Sequence, residues 1–406
     1  MPLAVHLLGL AIFAQGTSEF MLSGLLPDVA ADLGVSLPDA GLLVSAFAVG
    51  MVLGAPVLAV ATLRIPRRTA LVAFQLAFVV GHVVGALAPG YGVLFATRIL
   101  SAVAYAGFWS VAAATAVALV PPQAKGKALA VVGTGLTLAT VVGVPAGTVL
   151  SQHAGWRTAF WAVAGLTALS ALSLLIALPA PRQAPTPTRR PSLRGELAAM
   201  ARPRLWLSYL ITALTFGAGV VTFSYLAPLL TEVTGLPAGW VPAVLSLYGV
   251  GGLVGVTVGG RFADTAPLRT LALGIAALTL ASAALARTAT WLPATLALVL
   301  VLGFASYVTN PVLQSRVFRL APEAPTLVPA VNTSAFNVGI TLTPALGGLA
   351  LDAGLGFPSV AWVGAATGLL GLAATLWAAT LQRRDRPAPT TVATRTPVAA
   401  TAPADG

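Results

Sequence analysis

Apolar residues fill most of this chain in blocks about as long as a membrane is thick. A helix that crosses a bilayer needs about 20 mostly apolar residues. Twelve blocks meet that length, at 3–26, 40–63, 69–88, 92–119, 128–150, 158–178, 205–230, 239–260, 268–286, 292–315, 326–351 and 358–381. Short runs of helix-ending residues separate most of them, such as Pro89-Gly90-Tyr91-Gly92, Pro121-Pro122, Thr234-Gly235-Leu236-Pro237 and Gly354-Leu355-Gly356-Phe357-Pro358. The first block is expected to be a span and not a removable signal. It exceeds the usual apolar length, contains Glu19 and precedes no small-residue cleavage pattern. The pattern predicts an all-α membrane protein with twelve transmembrane helices.

One break is long. Residues 179–204 are rich in Pro, Thr and Arg, the composition of a flexible linker. It divides the chain into two six-helix halves, 1–178 and 205–381. The tail 382–406 is rich in Ala, Pro and Thr and is expected to be disordered.

Composition agrees. Of 406 residues, 57% are hydrophobic and 8% are charged, against about 25% charged in soluble domains. Mean hydropathy is +0.92. A soluble enzyme, a disordered scaffold and a coiled coil are excluded. With no cysteine, there is no disulfide framework, thiol catalysis or iron–sulfur site. Three scattered histidines (His6, His82, His153) build no histidine-rich metal site.

The net charge of +11 would suggest nucleic acid in a soluble domain. Between spans it sets orientation instead, because cytoplasmic loops collect Lys and Arg. With a cytoplasmic N-terminus, every one of the 22 Lys and Arg residues falls in an inner loop or the tail, apart from Arg157, Arg287 and the in-span Arg98. Asp28, Asp32, Asp39, Glu232 and Asp352 fall in the outer loops. Both termini and the linker are therefore expected in the cytoplasm.

The halves echo each other. Arg64-Ile65-Pro66-Arg67-Arg68 follows the second span; Gly259-Gly260-Arg261 with Asp264 and Arg269 follows the eighth. Gly143, Pro145 and Gly147 in the fifth span answer Gly339, Pro344, Gly347 and Gly348 in the eleventh. Two halves with matched Gly/Pro interruptions are the layout of a secondary transporter, with its site between them.

The chain resembles the major facilitator superfamily, in particular its twelve-span drug:proton antiporters, over about 1–381. The likeness rests on Gly16-Thr-Ser-Glu19-Phe-Met-Leu-Ser-Gly24-Leu-Leu-Pro27-Asp28, on Ala40 through Gly50, on Gly54-Ala-Pro56 and on Gly155-Trp156-Arg157-Thr-Ala-Phe160. The N-terminal half is most similar to bacterial chloramphenicol-resistance exporters, and sugar and nucleoside exporters share much of the first-span motif. The resemblance implies a bacterial cytoplasmic membrane protein that exports a small molecule against protons. It also implies the major facilitator fold, a monomer and no cofactor.

Glu19 is the acid and Arg98 the base inside the spans. A charge in hydrocarbon needs a partner or, for a carboxyl, a proton. At about 1.5 Å per residue the two lie at similar depth, which predicts a Glu19–Arg98 pair. A carboxyl that ionises when facing water and is neutral when occluded can exchange a proton for substrate; the alternative is a locked structural carboxylate. Arg98 matches the arginine of the family's fourth-span motif, whose Gln and Gly are Ser101 and Ala102 here; otherwise it is a packing clamp.

Further roles follow from the resemblance. Arg64, Arg67 and Arg68 resemble a cytoplasmic gating motif, with Leu63 and Pro66 departing from it, and Asp264, Arg261 and Arg269 would pair charges in the second half. Gly143, Pro145 and Gly147 match the fifth-span antiporter motif, either a hinge or seal or a close helix crossing. The first, fourth, seventh and tenth spans line the family's cavity. That makes Gln15, Glu19, Tyr105, Trp109, Phe216, Phe223, Tyr225 and Asn310 pocket candidates, with Asn332 and Asn337 of the eleventh span. Tyr105 and Trp109, four apart, share a helix face. His82, in the third span, is expected to be structural. An aromatic, weakly polar pocket suits an amphipathic drug, chloramphenicol-like first; a sugar or nucleoside, the alternative, wants more hydrogen-bond partners. A passive channel would need rings of polar or charged residues. An enzyme would need clustered His, Asp or Glu. Neither pattern occurs in the spans, and no phosphate-binding loop points to ATP.

Overall fold

The computed structural model describes residues 1–62, 65–121, 124–178, 193–263, 265–322, 324 and 327–384. They contain twelve helices long and apolar enough to cross a membrane. In the first half, α1 is Leu3–Leu33, α2 Leu37–Ala61, α3 Arg67–Ala86 and α4 Tyr91–Ala118. α5 comprises Lys125–Leu138, a π turn at Ala139–Gly143 and Val144–Ala154, and α6 is Trp156–Ala177. In the second half, α7 comprises Pro203–Ser224, a short piece Leu226–Pro228 and a π turn at Leu229–Val233. α8 is Val241–Phe262, α9 Pro267–Thr288, and α10 Leu292–Val308 followed by Asn310–Leu320. α11 is Leu327–Asp352 and α12 Pro358–Arg384.

All twelve expected spans are present, and the differences lie at their ends. α1 runs past Pro27, whose missing N–H removes one intrahelical bond. It stops at Gly34, whose left-handed φ of 62° suits glycine and whose N–H caps the Ala30 carbonyl. Asp28 and Asp32 are thus on the last turns of a helix and not in a loop. Asp39 starts α2, Glu232 sits in the α7 π turn and Asp352 closes α11. Part of the expected linker is helical, at Leu193–Met200; residues 179–192 and 385–406 lie outside the described residues.

Apolar side chains face outward as well as inward. Ile176 is 79% and Leu280 70% exposed, as expected of surfaces bathed in lipid. Without a hydrophobic force between helices, close packing must hold them, and glycines supply it. The crossing of α2 on α4 leaves no room for a Cβ at Gly50, nor α8 on α10 at Gly251, Gly255 or Gly259. The crossing of α1 on α5 is as tight at Gly135, and that of α7 on α11 at Gly339. The two halves therefore use the same pairs of helices, each pair closed by glycine.

Two seams join the halves. On one, α2 meets α11. The Ser45 hydroxyl donates to the Thr341 carbonyl (2.8 Å) and Ser334 to the Val52 carbonyl (3.0 Å). On the other, α5 meets α8: Gln152 Nε2 donates to the Ala238 carbonyl (2.7 Å), and Gly249 packs on the Val141 backbone. These contacts run from the end remote from the chain termini to beyond the middle of the bundle, so the remote end is sealed.

Candidate functional site

Near the middle of the bundle, aromatic side chains of the second half and Phe20 of the first close round a small cavity of about 20 Å³. α1 contributes Phe20, α7 Phe216, Gly219, Val220 and Phe223, α8 Tyr248, α10 Ser306 and Tyr307, and α11 Phe336. Phe216 and Phe336 pack with ring centroids 3.8 Å apart, and Phe223 and Tyr248 with theirs 4.5 Å apart. The Tyr248 phenol donates to the Ser306 hydroxyl (3.1 Å). The walls are thus mainly aromatic faces, with a few hydroxyls fixed in place.

Glu19 sits beside Phe20 and is 5% exposed. Tyr105 of α4 and Tyr307 of α10 lie within electrostatic range of its carboxyl. Thr140, in the α5 π turn, reaches the Tyr307 phenol. Such turns widen the helix locally and recur at functional sites. Here the turn lies just before Pro145, which lacks the N–H that a regular helix would need.

Arg98 is 1% exposed, at the depth expected from sequence. Arg98 and Glu19 lie within electrostatic range of each other, but no N–O contact of 4 Å or less joins them. Arg98 Nη1 donates to Ser18 Oγ (2.7 Å) and Nη2 to the Ser18 carbonyl (2.9 Å). Its guanidinium lies 4.3 Å from the centroid of the Phe47 ring. An ion pair does form at the remote end, between Arg157 and Asp32, with Trp156 Nε1 donating to the same carboxylate (3.0 Å). Ser18 is held from its other side by His82 Nε2 at 2.6 Å. His82 was not expected near the site, and nothing in the third span's sequence marks it.

Of the pocket residues expected from sequence, Phe216 and Phe223 line the cavity. Tyr105 stacks edge-on with Trp109, centroids 6.3 Å apart, behind the Glu19 side of the site. Tyr225 does not reach the cavity: its phenol donates to the Pro344 carbonyl (3.1 Å) and packs on Gly41, in the α2–α11 seam. Asn332 is a tie, accepting from Thr212 and donating to Gln314. Asn337 donates to the Thr333 carbonyl, and Asn310 is half-buried at the break of α10. Gln15 is enclosed, and neither polar atom of its amide has a partner. An unpaired buried amide costs about 1–3 kcal/mol, which a bound polar group would relieve. Tyr248, Ser306, Tyr307, Phe20 and Phe336 were missed, although Phe20 adjoins Glu19 and Tyr307 precedes Asn310 by three.

The residues of the expected gate are placed in part. Arg68 donates to the Leu175 carbonyl of its own half, and Arg67, Arg261 and Arg269 are exposed. Arg64 and Asp264 lie outside the described residues. Gly143 is the last residue of the π turn and packs on Thr17 of α1, with no room for a Cβ, whereas a Cβ at Gly147 would sit 3.4 Å from Met21. Among the described residues, no three His, Asp or Glu side chains cluster as metal ligands.

The sequence profile of the Major Facilitator Superfamily matches residues 8–328. A chloramphenicol resistance protein of Streptomyces lividans is 44% identical over 370 residues, covering 91% of this chain and 94% of its own length. The inner membrane transport protein YdhP of Escherichia coli is 38% identical over 377 residues, covering 92% of this chain and 95% of its own. Among solved structures, a bacterial homologue of the human lysosomal transporter Spinster, inward-facing and unoccupied, superposes with a TM-score of 0.72. It is 19% identical and covers 95% of this chain and 98% of its own; at that identity it shows the fold.

Proposed function

This chain belongs to the Major Facilitator Superfamily, and we propose that it is a proton-coupled exporter of small amphipathic compounds, chloramphenicol-like ones first. One observation carries the reading. A carboxyl, Glu19, is buried in the spans, next along the chain to Phe20 and within electrostatic range of Tyr307, both of which line the aromatic cavity. Burying an isolated carboxylate there costs several kcal/mol, so a proton is its cheapest companion when the site is occluded. When the site opens to water the proton can leave, and Arg98 is near enough to stabilise the carboxylate that remains. Substrate and proton then take turns at one place.

The lining suits an aromatic, weakly polar molecule, which the cavity, at about 20 Å³, must widen to admit. Its rings offer faces for stacking and its fixed polar groups are few, whereas a sugar would need many hydrogen-bond partners. The name of the Streptomyces lividans relative points the same way. Both termini face the cytoplasm, following the lysine and arginine distribution, so the sealed end faces outward and the site is loaded from inside. The exporter works as a monomer and needs no cofactor besides the proton gradient. Exchanging one inward proton for one neutral drug moves one charge, worth about 2.3 kcal/mol per 100 mV.

Cells expressing the chain should expel chloramphenicol, and an uncoupler should stop that even while ATP is maintained. Export that survives collapse of the proton gradient but stops when ATP is depleted contradicts the coupling. Labelling of a cysteine introduced at position 190 by an impermeant thiol reagent in intact cells contradicts the orientation.

A further inference from the structure

Behind Glu19, away from the cavity, a hydrogen-bonded chain crosses the first half from α3 through α1 to α4. His82 Nδ1 lies 2.9 Å from the Phe78 carbonyl. A carbonyl only accepts, so Nδ1 carries the hydrogen. In the neutral ring Nε2 is then bare, and it accepts from the Ser18 hydroxyl at 2.6 Å. The Ser18 oxygen in turn accepts from Arg98 Nη1 at 2.7 Å, and the Ser18 carbonyl accepts from Nη2 at 2.9 Å. The donations run one way, from the guanidinium through the Ser18 hydroxyl to Nε2, and from Nδ1 to the Phe78 carbonyl. The ring has little freedom to turn away. Phe78 stacks on it with centroids 4.2 Å apart, and Phe160 lies at 5.5 Å on another side.

The consequence concerns Glu19. Arg98 spends two nitrogens on residue 18 and makes no ion pair with residue 19. We propose that His82 is a positioning residue for the coupling pair: acting through Ser18, its bare Nε2 holds Arg98 short of Glu19. The proposal rests on Glu19 being the coupling carboxyl. If Ser18 loses that acceptor, its hydroxyl turns, the guanidinium loses one of its two ties, and the neighbouring carboxylate becomes the strongest partner within reach. A second proton on the ring has the same effect by another route. It puts two cations on one hydroxyl and leaves the hydroxyl hydrogen without an acceptor. The charged and titratable groups around the ring are Arg98 and Tyr105 on α4 and Glu19 on α1. On α6 there is Arg157, which donates to the Ala88 carbonyl beyond the end of α3.

The test is the pH profile of chloramphenicol-triggered proton release from the full chain in proteoliposomes. Ser18→Ala removes the relay, and His82→Asn keeps a donor toward Phe78 but lacks an acceptor that reaches Ser18. Each should move the midpoint by about one pH unit, the scale set by a newly formed opposite-charge contact. The double variant should move it no further than either alone. His82→Gln, whose amide oxygen reaches about where Nε2 lies, should restore the native midpoint. Unshifted midpoints in Ser18→Ala and His82→Asn, or shifts that add in the double variant, overturn the proposal. If His82→Asn does not accumulate in the membrane, Ser18→Ala and His82→Gln decide alone, and an unshifted Ser18→Ala overturns it. Glu19→Gln is run alongside. If it releases protons like the native chain, the coupling reading has failed; if it is silent and Ser18→Ala is unshifted, only the role of His82 has.

Discussion

Phe216 and Phe223 are seven positions apart on α7, two helical turns, and both rings close the cavity from the second half. Tyr225 follows at the break between Ser224 and Leu226, which turns it to another side of α7, and its phenol points into the α2–α11 seam. Phe216→Ala and Phe223→Ala should each weaken chloramphenicol binding about tenfold, on the scale of a lost aromatic contact. Tyr225→Phe should leave affinity within about twofold, because its hydroxyl serves the Pro344 carbonyl. Equilibrium binding to purified protein checks this, and equal losses in all three variants would contradict the placement. The same rotation explains what was legible in the sequence at this site. Depth along a helix follows from counting residues, so the matched heights of Glu19 and Arg98 could be read. Rotation about the axis could not be, and Arg98 meets Ser18, one residue and about 100° away. His82 carried no signal, because one histidine in an apolar span looks the same whether it packs or bonds.

The spans themselves were legible because length and apolarity are enough to define them. Their ends and interruptions were less so. Pro27 resembles a helix end in sequence, yet α1 absorbs it and continues to Gly34, carrying Asp28 and Asp32 onto helical turns. The π turns of α5 and α7 each adjoin a proline, Pro145 and Pro228, but other prolines inside helices, such as Pro56 and Pro344, give none. Gly143 and Gly147 were indistinguishable in sequence, and their surroundings separate them. A methyl at Gly143 would displace the β-branched Thr17, which is tied to the Phe13 carbonyl at 2.8 Å. Overpacking of that kind costs about 1–3 kcal/mol. Gly143→Ala should lower the melting temperature of the purified protein and cut export severalfold. Gly147→Ala meets Met21 at an ordinary contact distance and should leave both near native. Equal effects at the two positions would show that the α1–α5 crossing is not what Gly143 serves.

Across the molecule, the halves repeat one scheme of glycine-lined crossings and meet along two seams that seal the end remote from the termini. Opening that end requires the Ser45–Thr341, Ser334–Val52 and Gln152–Ala238 bonds to part. None of them involves a charge, so the seal can break without stranding an ion in lipid. The cavity lies near the middle of the bundle, and under the proposed coupling Glu19 is the carboxyl that takes a proton from one side and leaves it on the other. The most direct test is proton movement in proteoliposomes on addition of chloramphenicol, with native chain and Glu19→Gln at equal incorporation. Glu19→Gln keeps the side chain's size but cannot ionise. The native chain should move protons when the drug is added, while Glu19→Gln should bind the drug with similar affinity and move none. Proton movement by Glu19→Gln equal to that of the native chain would contradict the account.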